Sequence, residues 1–209
     1  MPLNKACVLF TYKTISIQNQ IETKEKSSKF IACIFPIQNE QDAKANIDEL
    51  WKQHNKATHV CYAYRLGFDK NNYRANDDGE PNGTAGKPIL GQIDSQELTN
   101  VLIAVVRYYG GTKLGVSGLI QAYKEAAFEV ISISKIEEKD IVEVYQIEFP
   151  TIAYNDMMAF LKKYKAHIMQ QNFDNECLLI ISINKKDKDL FFSAINDLYH
   201  VNLKITPIE

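Results

Sequence analysis

Apolar and polar positions change their period several times along the chain, and each change marks an element. Tyr12-Lys13-Thr14-Ile15-Ser16-Ile17 alternates, and residues 29–35 are β-branched and aromatic up to Pro36, so residues 7–36 read as strands. Asn39 then offers a helix cap, followed by Ala43, Ile47, Leu50, Trp51 and His54 at helical spacing. Residues 58–68 read as the next strand. Its period of two puts His59, Cys61, Ala63 and Arg65 on one face and Val60, Tyr62, Tyr64 and Leu66 on the other. A polar loop of twenty residues, 69–88, punctuated by Gly and Pro, comes next. Loops of that length in a compact domain are usually functional or disordered.

Residues 98–106 are almost continuously β-branched and apolar, as in a strand covered on both faces. The turn Gly110-Gly111-Thr112-Lys113-Leu114-Gly115 leads into a helix with Val116, Leu119, Ile120, Tyr123, Ala127 and Val130 expected on its packed side. Residues 134–140 form a charged junction. Beyond it the pattern reads strand 141–149, helix 155–165, strand 167–173, a turn at 174–176, strand 177–184, helix 188–199 and strand 201–207. That order is βαββαβ, a ferredoxin-like split unit. The fold class expected is α+β in two domains, 1–135 and 136–209.

Composition narrows the partners only slightly. A length of 209 residues suits one large or two small domains at about 150 residues each, and 45% hydrophobic with 24% charged residues is ordinary for a globular chain. No apolar run approaches the roughly 20 residues of a membrane helix, so no membrane partner is expected. Cys7, Cys33, Cys61 and Cys177 are widely spaced without a C-x-x-C pair, which argues for reduced thiols and a cytoplasmic protein. Residues 1–135 carry 16 basic and 14 acidic side chains and residues 136–209 carry 8 and 12, so neither part declares nucleic acid by charge alone. The placement of two residue types says more. All nine glycines lie between positions 67 and 118, and the three arginines, Arg65, Arg74 and Arg107, lie in or beside that segment.

Two clusters there could carry chemistry. In the loop, Asp77, Asp78 and Glu80 put three carboxylates within four residues. They could hold a hard cation, do acid–base work, or brace a turn in which Gly79 and Gly83 take positive φ. The EF-hand and Walker A spacings both fail, because Gly86-Lys87 is followed by Pro88 and the ligand register falls on Arg74 and Ala85. The second cluster, Arg107 to Gly118, joins a buried strand, a glycine turn and a helix N-terminus, where free N–H groups with Lys113 and Arg107 could take a phosphate or carboxylate. Arg107 could equally pair with Asp77, Asp78 or Glu80 and tie the two clusters together. A nucleophilic Cys61–His59 pair lacks any group to orient the base. No cofactor and no metal site are expected.

Asp77-Asp78-Gly79-Glu80-Pro81, then Gly83-Thr84-Ala85-Gly86 and Pro88, then Arg107-Tyr108-Tyr109-Gly110-Gly111 with Leu114-Gly115, Gly118-Leu119 and Ala122-Tyr123, closely resemble the IMPACT family. His59, Ala63 and Arg65 fit the pattern upstream. Ser117 departs from it, since many bacterial members have a second consecutive glycine there. The resemblance implies a two-domain bacterial form. Its first domain would share the fold of ribosomal protein S five domain two and elongation factor G domain four, and its second would look like the fifth domain of that factor. It also implies a link to translational control, through the eukaryotic relatives.

Three functions follow as expectations, the first preferred. One is a ribosome- or RNA-associated regulator of translation or stress response, binding through His59, Arg65, Asp77, Asp78, Glu80, Thr84, Arg107, Tyr108, Lys113, Gly115 and Tyr123, with Tyr109 beside them. Another is an enzyme that takes a small phosphorylated or nucleotide ligand. The last is a module for a translation-related protein partner.

Overall fold

The computed structural model describes residues 9–69, 71–173, 177–196 and 203–208. Cys7, the turn at 174–176, residues 197–199 of the expected helix and residues 201–202 of the expected strand lie outside them. Two compact units divide the chain: one runs from Tyr12 to Lys139, and the other begins at Asp140 and includes the described residues ahead of Tyr12.

The first unit is built on an antiparallel sheet ordered β2-β3-β6-β4-β5. Its strands are β2 (Asn19–Glu25), β3 (Ser28–Pro36), β4 (His59–Leu66), β5 (Asn72–Asn76) and β6 (Val101–Tyr108). Helix α1 (Glu40–Gln53) covers one face. Asn39 caps it as expected, its side chain accepting the Asp42 N–H at 2.8 Å. Helices α2 (Gly86–Ser95) and α3 (Gly115–Ser132) cover the other face, so β6 in the centre is buried on both sides. Strands β1 (Thr11–Ile15) and β7 (Ile136–Asp140) pair separately, and the charged junction is therefore a strand.

At three places the structure adds to the sequence reading or departs from it. The loop 69–88 is not structureless, since it contains β5 and the first turn of α2. Cys61 and Ala63 of β4 lie in the core, and α2 and α3 cover their face of the strand. Helix α3 is also rotated from the expected register. Leu119, Ala122, Tyr123, Ala126, Ala127 and Val130 pack inward, whereas Val116 is 58% exposed and Ile120 faces solvent. The sheet wants a close-packed helix, and the alanines supply that contact where larger side chains would hold it away.

In the second unit, β8 (Val142–Phe149), α4 (Tyr154–Lys163), β9 (His167–Phe173), β10 (Cys177–Asn184), α5 (Lys188–Asn196) and β11 (Lys204–Ile208) follow the expected βαββαβ order. The antiparallel sheet has the order β11-β8-β10-β9. Alternate residues Tyr145, Ile147 and Phe149 of β8 and Leu179, Ile181 and Ile183 of β10 pack against Met157, Phe160 and Phe191 of the helices. Burial along these strands thus alternates with a period of two. Among the described residues no helix is long and apolar enough to cross a membrane.

Candidate functional site

The carboxylate and glycine-turn clusters of the first unit meet because β4 and β6 are neighbours, with His59 opposite Arg107 in the register. The carboxylates that follow β5 turn inward at that end of the sheet. Asp77 accepts three backbone N–H groups, from Gly83 at 2.7 Å, Ala85 at 2.9 Å and Gly86 at 2.8 Å. Helix α2 has no side-chain cap of its own at Ala85, and Asp77 supplies one from upstream. Partial burial pushes the Asp77 carboxyl up, but the hydrogen bonds from Gly83, Gly86 and Ala85 outweigh it and hold the group below the ordinary carboxylate range. Asp78 sits at φ 46°, and its side chain takes the Val60 N–H at 2.6 Å, beyond the end of β5 where no strand partner remains.

Glu80 goes deeper. It forms a buried ion pair with Arg107 and accepts the Tyr123 hydroxyl of α3 at 2.9 Å. The Cys61 thiol lies 3.2 Å from that hydroxyl and 3.0 Å from the Asp77 carbonyl. Burial, reinforced by the carboxylates of Glu80, Asp78 and Asp77, drives this thiol far above its ordinary range despite the Tyr123 hydrogen bond. Burial likewise raises the Tyr123 phenol. Cys61 is therefore a core thiol, without the thiolate character that a nucleophile needs. Of the three possible partners for Arg107, the structure selects Glu80. Thr84 is also spent internally, its hydroxyl donating to the Pro81 carbonyl at 2.6 Å.

The cationic half is divided between interior and surface. Arg107 is 5% exposed, stacked between the rings of Phe30 and Tyr109 at 5.5 and 5.6 Å, and its Nε has no partner among the described residues. Tyr109 follows Arg107 on the same face and is 46% exposed. Tyr108 takes the other parity and leaves the site, with its hydroxyl 2.9 Å from His54 Nδ1 of α1. Beyond the turn, Gly115 at φ 76° starts α3, whose N-cap residue Leu114 makes no side-chain cap. Thr58, His59, Pro81, Arg107, Tyr109 and Lys113 surround a depression of about 460 Å³ floored by Leu114 and Leu119. His59 Nδ1 lies 2.6 Å from the Asp78 carbonyl, which makes Nδ1 the protonated nitrogen and leaves Nε2 an acceptor in the neutral ring.

The structure thus brings His59, Glu80, Arg107, Lys113 and Gly115 to one depression, with Tyr123 and the Asp77–Asp78 turn bracing it from beneath. Arg65 does not join them. It lies six register positions away opposite Val101, pairs with Asp94 of α2 and stacks on Tyr73. Tyr109 stands in the sequence beside the expected site, and its parity with Arg107 is the signal that selects it over Tyr108. Thr58 and the apolar floor carry no sequence signal of their own. Among the described residues no group of three or more His, Cys, Asp or Glu side chains could hold a metal ion.

The Impact N-terminal domain family matches residues 26–131, which span β3 to α3 and contain the whole depression. An IMPACT family member of Haemophilus influenzae is 30% identical over 190 residues, covering 90% of this chain and 92% of that protein. The IMPACT family member YigZ of Escherichia coli is 28% identical, covering 88% and 91%. The member YvyE of Bacillus subtilis is 36% identical over 137 residues, covering 66% of this chain and 63% of that protein's length. A crystal structure of a hypothetical protein superposes with a TM-score of 0.75 at 25% identity, covering 97% of this chain and 99% of that one.

Proposed function

Since the chain belongs to the IMPACT family, we propose that it acts in the control of translation by binding RNA, ribosomal RNA above all, at the depression of its first unit. One observation carries this reading. The three carboxylates of the 77–80 turn are consumed by internal hydrogen bonds, so the surface beside them presents Lys113, the uncapped α3 amides and the Tyr109 ring. Hiding acidic groups and showing cationic and aromatic ones is what a phosphate backbone requires. The family's link to translational control, implied by the motif resemblance, supports the same reading. Within it, the first unit is a ribosomal protein S five domain two-like fold. The second unit, whose strands run fourth–first–third–second across the sheet, is a ferredoxin-like fold that serves as a docking module in the cytoplasm.

Sedimentation of the full-length protein with ribosomes at low salt tests the proposal. Wild type cosediments, and Lys113→Ala, a change at an exposed position, weakens cosedimentation without affecting the fold. Absence of any ribosome or RNA association at low salt overturns it.

A further inference from the structure

Next to the depression, the β2–β3 hairpin adds a feature that its residue types alone do not announce. Glu25 pairs with Ser28, leaving Lys26 and Ser27 as the tip, and Lys26 sits at φ 51°. The tip is pressed against the glycine turn. A Cβ on Gly110 would lie 1.8 Å from the Ser27 carbonyl oxygen, so only glycine allows the two backbones to approach this closely. The Ser28 hydroxyl accepts from both the Gly110 N–H, at 3.3 Å, and Arg107, at 3.4 Å. Lys24 and Lys29 are held by Glu22, whereas Lys26 and Lys113 form no ion pair among the described residues. The hairpin tip and the glycine turn, which meet beside Tyr109, thus each carry a lysine without an ion pair among the described residues.

We propose that the edge formed by these two turns binds single-stranded RNA, with Lys26 and Lys113 on successive backbone phosphates and one unpaired base stacked on Tyr109. The inference rests on the RNA reading above and specifies it. An aromatic ring on the surface can only take a base whose face is free, and in a duplex both faces are already stacked. Tyr109 is backed by the Arg107 guanidinium, whose Nε has no hydrogen-bond partner among the described residues. That arrangement orients the ring and favours an electron-rich partner with a phosphate beside it. Lys26 has no place in a reading confined to the depression, and here it becomes a binding residue.

The test measures binding of a fluorescent single-stranded oligouridylate, and of a blunt RNA hairpin of equal charge, to the full-length protein across a salt series. Single-strand binding exceeds hairpin binding. Lys26→Gly, which removes the charge while suiting the positive φ, and Lys113→Ala each flatten the slope of log K against log salt by about 0.7. Tyr109→Ala weakens single-strand binding on the order of ten-fold or more with the slope unchanged, and Tyr109→Phe restores it. Equal binding of hairpin and single strand, unaffected by Tyr109→Ala, overturns the single-strand assignment and leaves the RNA reading standing. Binding of neither RNA at low salt overturns both, and a protein partner captured through the same surface then replaces them.

Discussion

Asp77 caps a helix that begins nine residues after it: one oxygen of its carboxylate accepts the N–H groups of both Ala85 and Gly86, at 2.9 and 2.8 Å. The other oxygen holds Gly83 at 2.7 Å, so one side chain closes the loop and starts α2. Replacing it with Ala leaves three amides without their acceptor and costs about 2–3 kcal/mol, measurable as a lower urea midpoint.

The same carboxyl makes stability depend on acid. Its folded value lies below its unfolded one, so its contribution is complete above the unfolded value and disappears as pH falls through the folded value. Wild-type stability therefore falls as pH drops through and below the ordinary carboxylate range, and the fall is shallower in Asp77→Asn. Urea titrations of both proteins from neutral pH down to about pH 3 read the difference.

The Arg107–Glu80 pair joins β6 to the 77–80 turn in the interior, with both side chains nearly inaccessible. Removing one partner leaves a buried charge, and Glu80→Ala or Arg107→Ala costs roughly 3–5 kcal/mol. Replacing both costs less than the sum of the two single changes, as a double-mutant cycle by chemical denaturation will show. Arg107 is for that reason unsuited to testing RNA contact, and Lys113 is the residue to change.

Two glycines give opposite outcomes. Gly110→Ala drives a methyl into the Ser27 carbonyl and destabilises by about 3 kcal/mol or more. Gly91 lies inside α2, where a methyl added to its Cα would meet nothing within 4 Å, and Gly91→Ala stabilises by about 0.5–1 kcal/mol. Thermal unfolding of the two variants checks both signs.

Both core thiols of the first unit stay silent in the native state. Burial raises Cys33 to about 11 and Cys61 further still, so neither reacts with iodoacetamide at about pH 8 until the protein unfolds. Mass mapping of alkylated peptides with and without urea distinguishes the two states.

Local signals are legible in the sequence and distant ones are not. Asn39 announces α1 because its cap and its helix are adjacent, and β8 and β10 announce themselves by alternation. Helix α2 is hidden because Pro88 sits in its first turn and its cap, Asp77, is far upstream. The inward face of α3 depends on which side chains the sheet can accept, so Val116 and Ile120 read as core and are not. In the candidate site, the two clusters are visible as residue types. Their division of labour is not, because whether Asp78 holds a cation or the Val60 N–H is decided by where β5 stops.

The contact between Gly110 and Ser27 has a bearing on how a bound strand would be measured. Lys26 and Lys113 are anchored to two turns that touch through main-chain atoms, so no rotamer change can widen or narrow the gap between their anchors. The edge behaves as a ruler with fixed marks. Its flexible lysine ends absorb small differences between one sequence and another, while the interval itself belongs to the backbone.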